Sequence, residues 1–199
     1  MAQLSFLFPQ NENYVDEDFV FLPENITAGK FLDNFFSQKD FSKSQFPSMI
    51  LKGEEACGKT HLLNIFARKS AAQFIDHKKI SELNLVDFFQ ENHFYILEDF
   101  DKMEDEELLL RSVNSAVEAK AFLILSAKNI SKFSLRDLVS RLKNIFVAEI
   151  KNPSVESVEQ LLANGFARRQ IKLSSSEIKS IAKKTDRSYL AISKAITSR

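Results

Sequence analysis

The eight residues Gly53-Glu54-Glu55-Ala56-Cys57-Gly58-Lys59-Thr60 restrict this chain more than any other stretch. They fit the spacing G-x-x-x-x-G-K-[ST], with a short apolar run before them and a helical pattern after them. Each fixed position has a physical reason. The glycines let the backbone turn tightly, so that successive N–H groups converge on phosphate oxygens. The helix that follows adds the positive end of its dipole. Lys59 reaches the β- and γ-phosphates, and the Thr60 hydroxyl can ligate Mg²⁺. Only four glycines occur in the chain, and two fall at the required places, so general glycine richness does not explain the match. The expectation is a purine nucleotide held by its phosphates, with Glu54, Glu55, Ala56 and Cys57 supplying loop backbone and His61 opening the helix beside it.

A loop of this kind belongs between a parallel strand and a helix, and the flanking pattern agrees. Residues 48–52, 94–97, 122–125 and 145–150 are short apolar runs that read as buried strands, with a further short strand at 73–75. Helical periodicity appears at 26–37, 59–69, 80–89, 104–119 and 135–142. From Pro153 onward only helices are expected, at 154–166, 174–184 and 188–198, and Ser174 with Glu177 makes a capping box. Alternating strands and helices predict an α/β fold: a parallel sheet sandwiched by helices, followed by a small all-helical lid subdomain. The expected division is a tail at 1–18, a nucleotide-binding domain at 19–151 and the lid at 152–199.

Composition narrows the function. Lys+Arg and Asp+Glu are equal at 27 each, so the bulk field gives no reason to expect direct DNA contact. The lone cysteine, Cys57, rules out an internal disulfide framework and suits a reducing compartment. No run is apolar enough to span a membrane, and the first residues lack a basic leader region; a cytoplasmic location is expected. The 19 phenylalanines carry no functional reading of their own.

Three further groups can carry chemistry. Phosphate-bound Mg²⁺ needs a carboxylate at the end of a neighbouring strand, and Phe94-Tyr95-Ile96-Leu97-Glu98-Asp99 supplies two. One can hold the metal shell while the other polarises water. Arg141, just before the last strand, can project onto a neighbouring subunit's γ-phosphate, although taken alone it reads as a surface helix arginine. The amino-terminal Gln3-Leu4-Ser5-Phe6-Leu7-Phe8 is a short apolar burst cut off by Pro9, the type of segment captured as an extended peptide. The pairs Lys78-Lys79, Arg168-Arg169 and Lys183-Lys184 read as solvated faces.

Taken together, Phe19-Val20 with Leu22-Pro23-Glu24-Asn25, the loop at Gly53 to Thr60, Leu97-Glu98-Asp99, Leu123-Ile124-Leu125-Ser126 and the stretch from Asp137 to Leu142 resemble the AAA+ module of the DnaA replication initiators. The closer resemblance is to the short Hda-type regulatory branch of that family. It implies Phe19 and Val20 at the adenine side, the 53–60 loop as Walker A, Glu98 and Asp99 as Walker B, and residues 123–126 as the sensor 1 strand. Lys128, Asn129 or Ser126 would be its polar residue. Arg141 would be an arginine finger acting in trans, and Gln3 to Phe8 the hexapeptide that docks on the DNA sliding clamp. The implied ligands are ADP or ATP with Mg²⁺. The implied partners are the DnaA initiator and the sliding clamp, with a homodimer or larger homo-oligomer left open. Two departures bear on rate. Glu98 stands where aspartate is usual, and Leu190 stands where a sensor 2 arginine is usual, with Arg187 one turn earlier. Both imply weak or no intrinsic ATPase and a protein that acts on a partner. An adaptor or loader that stimulates no hydrolysis is the rival of the binding class. A small P-loop kinase is the rival enzyme, although neither an acceptor site nor an arginine-rich lid is evident.

Overall fold

The computed structural model describes residues 19–37, 48–78, 80 and 84–198. The segment Gln3 to Phe8 and Lys79 lie outside the described residues.

Five strands form one parallel sheet: β1 (Ser48–Gly53), β2 (Gln73–Ile75), β3 (Phe94–Leu97), β4 (Phe122–Ala127) and β5 (Phe146–Ile150), in the order β2-β3-β4-β1-β5. The unbroken apolar runs in the sequence have the cause expected of a sheet covered on both faces. β4 is buried at every position. The two-residue period of the strands then sorts side chains between two cores. Ile50, Tyr95, Leu97, Leu123 and Leu125 meet Leu109, Val113, Leu138 and Leu142 of α4 (Glu106–Glu118) and α5 (Arg136–Asn144). Met49, Leu51, Ile96, Ile124, Ala148 and Ile150 meet Ala28 and Leu32 of α1 (Ile26–Ser37) and Leu62, Leu63 and Phe66 of α2 (Lys59–Ser70). Phe35, Phe36, Phe66, Phe94 and Phe122 close the second core as a ring cluster, with Phe94 stacked on Phe122 at 4.3 Å between centroids.

After β5 the chain is helical: α6 (Val155–Arg168), α7 (Ser175–Lys184) and α8 (Tyr189–Thr197). Val158, Leu162, Phe166, Ala182 and Ile192 give these helices a cluster of their own. Each begins on a serine whose hydroxyl accepts a backbone N–H: Ser154, Ser174 and Ser188. Ser174 and Glu177 form both bonds of the capping box. Gly165 sits inside α6, where a Cβ would collide with Ile196 of α8, so the bare backbone is what lets the two helices close. No helix among the described residues is long and apolar enough to cross a membrane.

Of the helix expected over 80–89, residues 81–83 lie outside the described residues, and from Asn84 on it is corrected to a single turn, α3 (Leu85–Phe88). Asn84 spends its side chain on Asp87, and the Tyr95 hydroxyl donates to the Phe88 carbonyl and accepts from the Gln90 N–H. The two Tyr95 bonds satisfy backbone groups that a longer helix would have used, and Phe89 is extended. The 3₁₀ turn Phe100–Lys102 after β3 was not expected. The start of α5 depends on another helix, because the Glu106 carboxylate accepts the N–H groups of Ser134 and Leu135.

Candidate nucleotide-binding cleft

β1 lies in mid-sheet between β4 and β5, while its connection through α2 leads to the far edge at β2. The strand order therefore reverses at the carboxyl end of β1, where open parallel sheets place their ligands. The 53–60 loop occupies that end. Two of its residues are left-handed, Ala56 at φ 62 and Gly58 at φ 94. At Gly58 a side chain is excluded twice, by the backbone angle and by the Phe19 ring, which would stand 3.0 Å from a Cβ. The N-cap of α2 is Gly58, which has no side chain to cap the helix; its amino end opens on the loop, where the Lys59 N–H meets the Cys57 thiol.

Lys59 is buried, and its ammonium folds over the loop, donating to the Gly53 carbonyl at 2.8 Å and the Glu54 carbonyl at 3.1 Å. Thr60 hydrogen-bonds the Glu98 carboxylate across the β1–β3 gap. Burial pushes the Glu98 pKa up and the Thr60 bond opposes it; the Asp99 charge raises it further, and Lys59 pulls it down, for a net rise. Asp99 is left-handed at φ 49, with its N–H donating to the Ser126 hydroxyl and its carboxylate paired to Lys102 at 2.7 Å. Of the three sensor 1 candidates, Ser126 is thus tied to the Asp99 backbone, and the Asn129 side chain accepts from Ser131 N–H. Only the Lys128 side chain crosses to the loop, pairing with Glu54 at 2.8 Å. Asp101 accepts the N–H groups of both Lys128 and Asn129 and so sets the turn from which Lys128 reaches out. Glu55 is exposed, and its charge adds a minor upward push to the pKa of Lys102 and Lys128, behind Asp99 and Glu54 respectively.

Beside the loop opens a cavity of about 260 Å³. Phe19, Val20, Ala56, Cys57, Gly58 and His61 form one wall, and Phe19 and His61 meet edge to face at 5.2 Å. The other wall comes from the carboxyl-terminal helices: Leu161, Asn164, Gly165 and Arg168 of α6, and Tyr189, Ile192 and Ser193 of α8. Of this second wall only Arg168 was named from sequence, as half of a solvated pair with Arg169. The wall's one local signal was Gly165, a glycine inside a helical pattern, which marks close packing. Leu190 and Arg187 are exposed, and neither lines the cavity; the lining cation from this side is Arg168. Arg141, in the last turn of α5, does not line it either. That helix packs on the sheet face opposite to α1 and α2.

Among the described residues no three His, Cys, Asp or Glu side chains cluster as a metal site. The oxygen pair of Thr60 and Glu98 nevertheless fits Mg²⁺, which keeps several waters and takes one or two protein oxygens together with phosphate.

No protein-family model and no curated protein matches the sequence. Solved structures do match in shape. Domain III of the Thermotoga maritima replication initiation protein DnaA superposes with a TM-score of 0.72 at 17% identity, over 96% of this chain and 88% of that one. AMPPCP-bound DnaA from Aquifex aeolicus superposes with a TM-score of 0.72 at 16% identity, over 97% of this chain and 65% of that one. The RuvB Holliday junction branch migration motor of Thermotoga maritima follows at 0.64 and 14% identity, over 88% of this chain and 61% of that one. The fold is the AAA+ fold of DnaA domain III. The chain spans about two thirds of the length of the AMPPCP-bound initiator that it matches.

Proposed function

We propose that this chain is a cytoplasmic AAA+ regulator of replication initiation, with residues 19–151 as its nucleotide-binding domain and 152–199 as its lid. The observation that carries the nucleotide part is the convergence of Lys59, the Thr60–Glu98 pair and the uncapped start of α2 at one end of β1, next to a cavity walled by Phe19 and Val20. ADP or ATP would place its phosphates on the loop N–H groups and Lys59, and its base between Phe19-Val20 and the α6–α8 wall. Thr60 and Glu98 would hold Mg²⁺, which neutralises phosphate charge. Lys59 would leave the Gly53 and Glu54 carbonyls for phosphate oxygens, and Lys128 would exchange Glu54 for the terminal phosphate.

Intrinsic hydrolysis is expected to be weak. The raised pKa of Glu98 makes it a poorer anion, Asp99 is engaged by Lys102, and no arginine reaches the cavity from the position of Leu190. The activity would be exerted on a partner. Arg141, remote from this chain's own cavity, would enter the ATP site of a DnaA-type initiator. An arginine supplied in trans raises phosphoryl-transfer rates by roughly 10³–10⁵. Gln3-Leu4-Ser5-Phe6-Leu7-Phe8 would dock on the sliding clamp. The test is the decay of initiator-bound ATP with loaded clamp and either wild-type protein or Arg141→Ala. The variant should bind nucleotide and clamp normally yet leave the decay at the unstimulated rate. Equal stimulation by both proteins would remove the arginine finger and favour the adaptor reading.

A further inference from the structure

Residues 22–25 do more than precede α1. The Asn25 side chain is buried; its Oδ1 accepts the Leu22 N–H at 2.9 Å and its Nδ2 donates to the Val20 carbonyl at 3.0 Å, which fixes Val20 as a cavity wall. The next residue back turns the other way. Glu24 Oε1 accepts the Ser154 N–H at 2.8 Å, and Oε2 accepts the Ser157 hydroxyl at 2.8 Å. Its carbonyl accepts the Lys151 N–H at 3.2 Å. Ser154 caps α6, and Lys151 ends the run from β5, so Glu24 grips both ends of the only covalent link between the sheet and the last three helices. From the other side the Tyr189 hydroxyl of α8 donates to the Lys151 carbonyl at 3.1 Å, and Tyr189 also lines the cavity. Two walls of one cavity, more than a hundred residues apart in sequence, therefore share the 151–154 link as a fixed point. A carboxylate at the start of α6 also complements that helix's dipole.

We infer that Glu24 is a positioning residue: its carboxylate pins α6–α8 to the sheet and so sets the width of the nucleotide cavity. This rests on the nucleotide reading for its effect on affinity, but not for its effect on geometry. Glu24→Ala leaves the Ser154 N–H and Ser157 hydroxyl without their acceptor, so the helical unit swings more freely on the 151–154 link. Glu24→Gln keeps an oxygen for the Ser154 N–H, and its amide can donate to the Ser157 hydroxyl, so it should rescue.

The experiment measures distances between spin labels at Glu118→Cys and Lys183→Cys, both exposed positions, in the full chain, with ADP affinity measured in parallel on the unlabelled protein. Glu24→Ala should broaden the distance distribution and weaken Mg²⁺–ADP binding about tenfold, or about 1.4 kcal/mol. Glu24→Gln should match wild type in both. An unchanged distribution in Glu24→Ala overturns the inference, whatever the affinity does. A variant that only melts earlier, with wild-type distances and affinity, shows a merely structural role and overturns it too. If Glu24→Ala does not fold, Ser157→Ala decides, since it removes one bond: broadening supports the pin, and a wild-type distribution overturns it. A wild type that fails to bind ADP sinks the nucleotide reading alone, and the distances still decide the role of Glu24.

Discussion

The two ends of the cleft are built in different ways. The end proposed for phosphate is polar and local. Most of its parts lie within the eight residues from Gly53 to Thr60, with the strand end at Glu98 and Lys128 reaching in to Glu54, and it depends on backbone N–H groups and lysine ammoniums. The far end is largely apolar and assembled at a distance. It takes Phe19 and Val20 from before α1, and Leu161, Gly165, Tyr189 and Ile192 from beyond β5. The difference teaches that charge recognition can be written in one loop, because a turn and a lysine suffice to aim donors at a point. Apolar recognition needs area, and area comes only from bringing separate elements together.

The largest effect of a single substitution is expected at the end proposed for phosphate. Lys59→Ala should weaken both ADP and ATP about 100-fold by titration calorimetry, near the roughly 3 kcal/mol upper range for hydrogen bonds to a charged group. Wild-type affinity for both nucleotides would mean that the loop does not hold phosphate.

At the far end, Phe19→Ala removes the ring packed over Gly58 and against His61. Losing about 2 kcal/mol of apolar and aromatic contact should weaken ADP about 30-fold. Pyrophosphate should bind as before. A parallel loss for pyrophosphate would show that the two ends are not separable.

Glu98 sharpens the contrast through pH. Its folded pKa is raised, chiefly by burial, so it keeps its proton to higher pH than an unfolded glutamate would. Between the two pKa values the folded chain binds more protons, so this residue's contribution to stability falls as pH rises. The ionised form is the one that attracts Mg²⁺. The Mg²⁺-dependent gain in ADP affinity should therefore grow as pH rises through the Glu98 pKa, by several-fold, while Mg²⁺-free binding stays flat in that range. Glu98→Gln should abolish that rise and be slightly more stable at neutral pH. A Mg²⁺ gain that ignores pH in wild type would take Glu98 out of the metal site.

The smallest effect concerns the loop's own strain. Ala56 is left-handed at φ 62, a conformation costing an L-residue roughly 1–2 kcal/mol. Ala56→Gly removes that cost but adds unfolded-state entropy, for a net gain of about 0.5–1 kcal/mol and a Tm rise of about 1–4 °C. Nucleotide affinity should hardly move. A loss of stability would mean that the Ala56 methyl supports the loop by packing.

Much of the fold was legible. The runs at 48–52, 94–97 and 122–125 are strands because a strand covered on both faces must be apolar throughout. Among the helices of the last third, α7 announced itself by the capping box of Ser174 and Glu177. Residues 84–89 misled because Leu85, Phe88 and Phe89 have helical spacing, yet the Phe88 carbonyl and the Gln90 N–H are satisfied by Tyr95, a partner the local pattern cannot reveal. In the cleft, Phe19, Val20 and the loop were named from sequence; Tyr189 and Gly165 were not, and Arg168 was read as a solvated cation although it lines the cavity.

The sequence by itself determined the α/β alternation, the sheet's two-sided burial and the loop between β1 and α2, because each follows from periodicity or from backbone freedom within a few residues. Tertiary structure alone decided that Lys128 pairs with Glu54, that Asp99 turns to Lys102, that Glu24 grips the start of α6, and that α6 and α8 close the cavity. Those outcomes depend on which side chains meet across the sheet order β2-β3-β4-β1-β5. Hydrogen bonds and ion pairs act over a few ångströms, so they are set by the meeting of elements and not by the order of residues along the chain.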